Sequence, residues 1–145
     1  MTALRVLLDL GSPAAGHAPW PCAIVDQGGW NAAIDALADG AVTLLSVWGE
    51  VGCVRMALLD RDGGAANDPA IAVLCLACPD GAYPAIGARH AASIRLERAM
   101  HDLYGLLPVG LPDARPWLDH GRWGGENRPA RSEERRVGKE CRMPC

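Results

Sequence analysis

The chain's greatest density of reactive groups runs from Arg95 to Trp123, RLERAMHDLYGLLPVGLPDARPWLDHGRW. His101-Asp102 and Asp119-His120 are each an imidazole beside a carboxylate, with Glu97 and several arginines nearby. An imidazole oriented by a carboxylate can serve as a general base, and the same groups are ligands for transition metals. One reading is therefore a small hydrolytic or metal-dependent enzyme using His101, Asp102, Asp119 and His120. Three observations weigh against it. Hydrolysis also needs an activated nucleophile, and no GxSxG-like or cysteine-nucleophile context is present. The spacing of the two histidines follows no common ligand pattern. Residues adjacent in sequence also rarely orient one another as base and partner.

Cys75 and Cys78 (CLAC) have the CxxC spacing of zinc or redox sites. They lie in a strand-like run, where residues three apart point to opposite faces. A structural zinc would also need four ligands, and no second pair lies outside the C-terminal tail. Cys75, Cys78, Cys22 and Cys53 are read as inert thiols in apolar surroundings. Gly28-Gly29, Gly63-Gly64 and Gly124-Gly125 lack the strand–GxGxxG–helix context of a nucleotide loop and are read as turns.

The elements that must position these groups follow from periodicity. Leu96, Ala99, Met100, Leu103 and Tyr104 recur on one face of a helix, with Ser93 placed to cap it and Gly105 to end it. On the opposite face Glu97 precedes His101, and Arg98 precedes Asp102, each by four residues. That spacing predicts exposed surface pairs of a few tenths of a kcal/mol, roughly. The proline-rich segment that follows cannot continue the helix. It carries Arg115, Trp117 and Trp123, residue types enriched at protein interfaces. Folding of both tryptophans back onto their own domain is an equally weighted alternative.

Upstream, Arg5–Leu10, Cys22–Asp26, Val42–Asp60 and Ala70–Cys78 read as strands, with a hairpin at Gly49–Gly52. Trp30, Ala33, Ile34 and Leu37 recur at helical spacing, and Gly40 supplies a stop. The fold class expected is α+β: a largely antiparallel sheet (a three-strand meander plus N-terminal strands) with one or two helices packed on it. The 145 residues carry a formal charge of −3 and no basic stripe, which argues against nucleic acid as a partner. Asp9 interrupts the N-terminal apolar run where a signal peptide's should continue, and no run is long enough to span a bilayer. The six cysteines have no regular spacing of the kind a disulfide framework shows. A cytoplasmic protein is expected.

Composition shifts at Arg131. Residues 1–130 contain no lysine, and nine arginines stand there against fourteen acidic residues, 9 − 14 = −5. The segment RSEERRVGKECR then brings the only lysine, Lys139. It resembles the conceptual translation of a DNA-sequencing adapter. Residues 131–145 are therefore read as an artefactual tail, residues 124–130 as the start of a truncated linker, and residues 1–123 as the domain. The natural sequence is expected to continue past Ala130.

LERAMHDLYGL resembles the signature of the thirty-kilodalton subunit of NADH–quinone oxidoreductase, Glu-Arg-Glu-x-x-Asp, an aromatic or Met, an aromatic, Gly. Glu97, Arg98, Asp102, Tyr104 and Gly105 stand at matching positions. Ala99 replaces the third, acidic residue, and His101 stands where an aromatic is usual. Pro112, Asp113 and Arg115 also match the family, after which the sequence diverges. The divergence is similar to the homologous domain of energy-converting, membrane-bound nickel–iron (NiFe) hydrogenases of the formate hydrogenlyase type. The resemblance is specific over Ile94–Trp123 and architectural over Trp30–Cys78.

It implies a non-catalytic docking subunit or domain with no cofactor of its own. The iron–sulfur clusters, and in a hydrogenase the NiFe centre, belong to partner subunits. Implied partners are the large subunit of a hydrogenase or NADH–quinone oxidoreductase and other iron–sulfur subunits of the peripheral arm. The complex would lie at the cytoplasmic face of the inner membrane and support electron transfer toward quinone. The implied interface comprises Glu97, Arg98, Asp102, Tyr104 and Gly105 on the helix, then Arg115, Trp117, Asp119, His120 and Trp123.

Overall fold

The computed structural model describes residues 1–64 and 68–123. The expected linker (124–130) and tail (131–145) lie outside the described residues. The elements, in chain order, are α1 (Ala3–Asp9), β1 (Ser12–Pro13), β2 (Cys22–Val25), α2 (Gln27–Ala38), β3 (Thr43–Glu50), β4 (Cys53–Leu59), β5 (Ile71–Ala77), β6 (Ala82–Pro84), α3 (Ile94–Tyr104) and β7 (Leu107–Val109). A 3-10 turn, Ala91–Ser93, leads into α3. The fold is α+β, as expected.

The expected meander is present: β3, β4 and β5 pair antiparallel, and Glu50 faces Cys53 across the tight turn at Val51-Gly52. Gly52 adopts φ +78, which a side chain disfavours. β2 adds parallel to β5 and β1 antiparallel to β2, giving the order β1-β2-β5-β4-β3. β6 and β7 form a separate parallel pair.

One expected strand is a helix. Arg5–Leu10 falls largely within α1, because Leu4 and Leu7 turn to one side into the core, at 0% and 4% exposure. Thr2 caps the helix through the Arg5 N–H, and Arg5 pairs with Asp9 four residues on. A short apolar run cannot distinguish the two periods. The Leu4 N–H donates to the buried Asp60 carboxylate at 3.1 Å, tying α1 to the end of β4.

Helices and sheet meet in one core. Trp30, Ala33, Ile34 and Leu37 of α2 pack with Val54, Met56 and Leu58 of β4 and with Leu74 and Leu76 of β5. Each buried aliphatic or aromatic side chain contributes about 1.5–3 kcal/mol. Trp30 stacks edge-on against Tyr83 at 6.3 Å and donates its indole N–H to the Pro84 carbonyl, joining α2 to β6. Asp26 caps α2 by accepting from the Gly29 N–H. No helix among the described residues is long and apolar enough to cross a membrane.

Candidate functional site

α3 lies against edge strand β3, and the room for it comes from Gly49. A Cβ there would stand 2.7 Å from Leu106 Cδ1 and 3.1 Å from Tyr104 Cδ2. The glycine expected only to mark the hairpin therefore seats Tyr104, at the end of α3, and Leu106 beyond it. Gly105 ends the helix with φ +75, donating its N–H to the His101 carbonyl.

The expected apolar stripe is corrected. Met100 is buried, but Leu96 is 39% exposed, and the other buried residues of the helix are Glu97 and Asp102. The expected surface pairs, Glu97 with His101 and Arg98 with Asp102, are absent among the described residues. Both carboxylates turn away from their own helix to hold irregular chain elsewhere.

Glu97 is fully buried. Its Oε1 accepts from the Ile86 N–H at 2.8 Å, and its Oε2 accepts from the Gly87 N–H at 2.7 Å. Gly87 must be small: a Cβ would meet Glu97, Ile94 and Leu111 atoms, each at 2.7 Å. Ser93 does not cap α3. Its Oγ lies 2.9 Å from Glu97 Oε2 and 3.0 Å from the His90 carbonyl. Burial pushes the Glu97 carboxyl above its ordinary value, outweighing these donors and the neighbouring Tyr83. In the neutral acid, the Glu97 proton can go to Ser93 Oγ while the Ser93 hydroxyl donates to His90. The Tyr83 hydroxyl has no hydrogen-bond partner among the described residues, and burial, then the Glu97 charge, push it up.

Asp102 does the converse. Burial would raise it, but the backbone N–H groups of Leu118, Asp119 and Trp117 outweigh that and, with His101, hold it below its ordinary value. All three donate to one oxygen, Oδ2, at 2.6, 3.2 and 2.7 Å. Asp119 in turn accepts from the Gly121, Arg122 and Trp123 N–H groups. Asp102 thus straps the post-helix segment onto α3, and Asp119 holds the turn that follows it.

Arg98 completes the strap. It pairs with Asp113 at 3.2 Å and donates to the Arg115 and Pro116 carbonyls. Arg115 also pairs with Asp113, at 2.7 Å, and holds that carboxyl well below the usual range. The guanidinium carbons of Arg95 and Arg98 lie 5.2 and 5.1 Å from the centroid of Trp117, which is 43% exposed. His120 is exposed at the end of this run, and Trp123 is half-buried.

The four residues of the enzyme reading do not assemble. His101 Nδ1 lies 3.1 Å from the Leu106 carbonyl, an acceptor only, so that nitrogen carries the proton. No hydrogen bond among the described residues joins His101 or His120 to Asp102 or Asp119. No group of three or more His, Cys, Asp and Glu side chains among them is arranged to hold a metal. Cys22, Cys53, Cys75 and Cys78 are free thiols, and burial, then Cys53, push Cys75 up to about 11.

Sequence reasoning misses Gly49, Gly87 and Asp113 as structural partners of this site, and it misses the burial of Glu97 and Asp102. No local pattern marks those two, because their backbone partners lie in irregular chain 10 to 17 residues away.

The fold defined by this sheet and α3 has a solved counterpart. The chain is similar to the structure of the trypsin-resistant fragment (1-134) of Nqo5, with a TM-score of 0.61 and 17% identity, covering 78% of this chain and 99% of that one. By sequence it is 41% identical over 51 residues to formate hydrogenlyase subunit 5 of Escherichia coli (strain K12), 35% of this chain and 9% of that protein. The matched stretch therefore spans under a tenth of that relative. A similarity to the structure of a membrane-bound sulfane sulfur reductase, an archaeal respiratory membrane complex, has a TM-score of 0.47 and 14% identity over 86% of this chain and 77% of that one, too distant to bear on the argument. No family model matches the chain.

Proposed function

We propose that the chain is a non-catalytic docking domain of a membrane-bound oxidoreductase complex, packing against the large subunit of a nickel–iron hydrogenase or NADH–quinone oxidoreductase. The observation that carries this reading is the use of the charged groups. Asp102 and Asp119, the two carboxylates of the enzyme reading, are spent on backbone donors, and Arg98 on backbone carbonyls. Asp102 holds the Trp117 backbone and Arg98 the Arg115 and Pro116 carbonyls. The Trp117 and Arg115 side chains stay exposed, as an aromatic and an arginine are presented at interface hot spots. The Nqo5-like fold and the 51-residue match to a hydrogenlyase subunit support the same class of complex.

On this reading the domain carries no cofactor. Iron–sulfur clusters and any NiFe centre reside in partner subunits, and the domain reaches the cytoplasmic face of the membrane through them. The test has two arms. The purified chain is expected to hold no nickel or iron and to oxidise neither NADH nor H2; stoichiometric metal or turnover would overturn the reading. Trp117→Ala and Arg115→Ala are expected to weaken co-purification with the large subunit while leaving the domain folded.

A further inference from the structure

The strap continues into an apolar hollow. Arg98, which lies over Trp117, also lines a depression with His101, Leu107, Pro108, Leu111 and Ala114. It encloses about 30 Å³, room for a small alkyl group but an order of magnitude below a substrate pocket. Leu107 and Val109 of β7 are 51% and 58% exposed. β7 cannot recruit a partner strand along its open edge. The bonds Leu107 N–H to Gly81 O and Ala85 N–H to Val109 O direct residues 107 and 109 toward β6. The residue between them is Pro108, which has no N–H to offer outward. Recognition here must therefore come from side chains.

Those side chains have a sign. Arg95, Arg98, Arg115 and Arg122 stand in this region against Asp102, Asp113 and Asp119, 4 − 3 = +1, on a chain whose formal charge is −3. Asp113 is already neutralised by Arg98 and Arg115, and Asp119 is occupied by three backbone N–H groups. Arg95 is exposed, and it makes no ion pair or hydrogen bond among the described residues. Its guanidinium, stacked on Trp117, keeps its planar set of donors free for a carboxylate.

The geometry points to an acidic, leucine-type segment of a partner protein as the occupant of this surface. Its carboxylate would pair with Arg95 over Trp117, and an aliphatic side chain would fill the hollow between α3 and β7. The inference rests on the docking reading above and supplies the partner's chemistry.

The test uses the full chain, labelled with nitrogen-15, and short synthetic peptides combining leucine with aspartate, asparagine or lysine. The leucine–aspartate peptide is expected to shift the amides of residues 95–117 and the Trp117 indole, and to weaken as salt rises. Arg95→Gln and Trp117→Ala should each weaken it about tenfold, while Arg61→Gln, remote from the strip, should not. Equal or tighter binding of the asparagine or lysine peptide, or shifts located elsewhere, would overturn the inference. So would a preference for anionic lipid vesicles over the acidic peptide. In the assembled complex, sensitivity to Trp117→Ala without sensitivity to Arg95→Gln or salt would sink the acidic partner and leave the docking reading standing. Sensitivity to none of these would sink both.

Discussion

On α3, burial raises the Glu97 carboxyl above its ordinary value of about 4.5. Its stabilising contribution is therefore complete below that pH and is lost as pH rises through the raised value. Chemical denaturation of the wild type at a series of pH values from 4.5 upward should show this decline, and Glu97→Gln should flatten it. The glutamine leaves one of the Ile86 and Gly87 N–H groups without its acceptor, at a cost of about 1–3 kcal/mol. A wild-type profile as flat as the variant's would refute the assignment. Asp102 runs the other way: its folded value is lowered, so its contribution holds above about 3.8 and fades as pH falls below it. Asp102→Ala should release the 117–119 amides to rapid hydrogen exchange while the central sheet amides stay protected. Protection unchanged at 117–119 would mean that the segment is held by something other than this carboxylate.

At the level of elements, what is legible in the chain is what repeats locally. α2, the β3–β4–β5 meander and the extent of α3 follow from periodicity and from glycines at Gly40, Gly52 and Gly105. α1 reads as a strand because a run as short as Arg5–Leu10 fits either period, and the decisive contact, Leu4 N–H to Asp60, spans 56 residues. The pairing of β6 with β7 rests on strands of three residues, too short to show alternation. In the candidate site, the resemblance singles out Glu97, Arg98, Asp102, Tyr104 and Gly105, yet spacing assigns the wrong neighbours to the charges. A carboxylate four residues from a cation looks like a helix-surface pair whether or not distant backbone amides compete for it. The cradle around Glu97 gives a sharp check. Gly87→Ala should destabilise the domain by about 1–3 kcal/mol by overpacking, since its Cβ meets three neighbours at once. Wild-type stability of that variant in urea would show that the loop can shift.

For the whole molecule, the expected separation is between stability and association. Trp117→Ala and Arg115→Ala act on groups that are 43% and 80% exposed, so each should cost the isolated domain about 1 kcal/mol or less. The same variants should lower recovery of the complex severalfold, measured by co-purification alongside thermal unfolding of the free chain. Equal losses in both would assign the strip to folding alone. The parallel pairing of β2 with β5 adds a constraint of time. Cys22 lies beside Val73, Ile24 beside Cys75, and α2 and the β3–β4 hairpin are spelled out between them. During synthesis, which runs from the N-terminus at about 5–20 residues per second, the hairpin can form while β2 still has no neighbour on that side. Closing so long a loop is slow in proportion to its entropy. The nascent chain therefore passes through a stage with β2 as a bare edge, and β5 emerges as the strand that seals it.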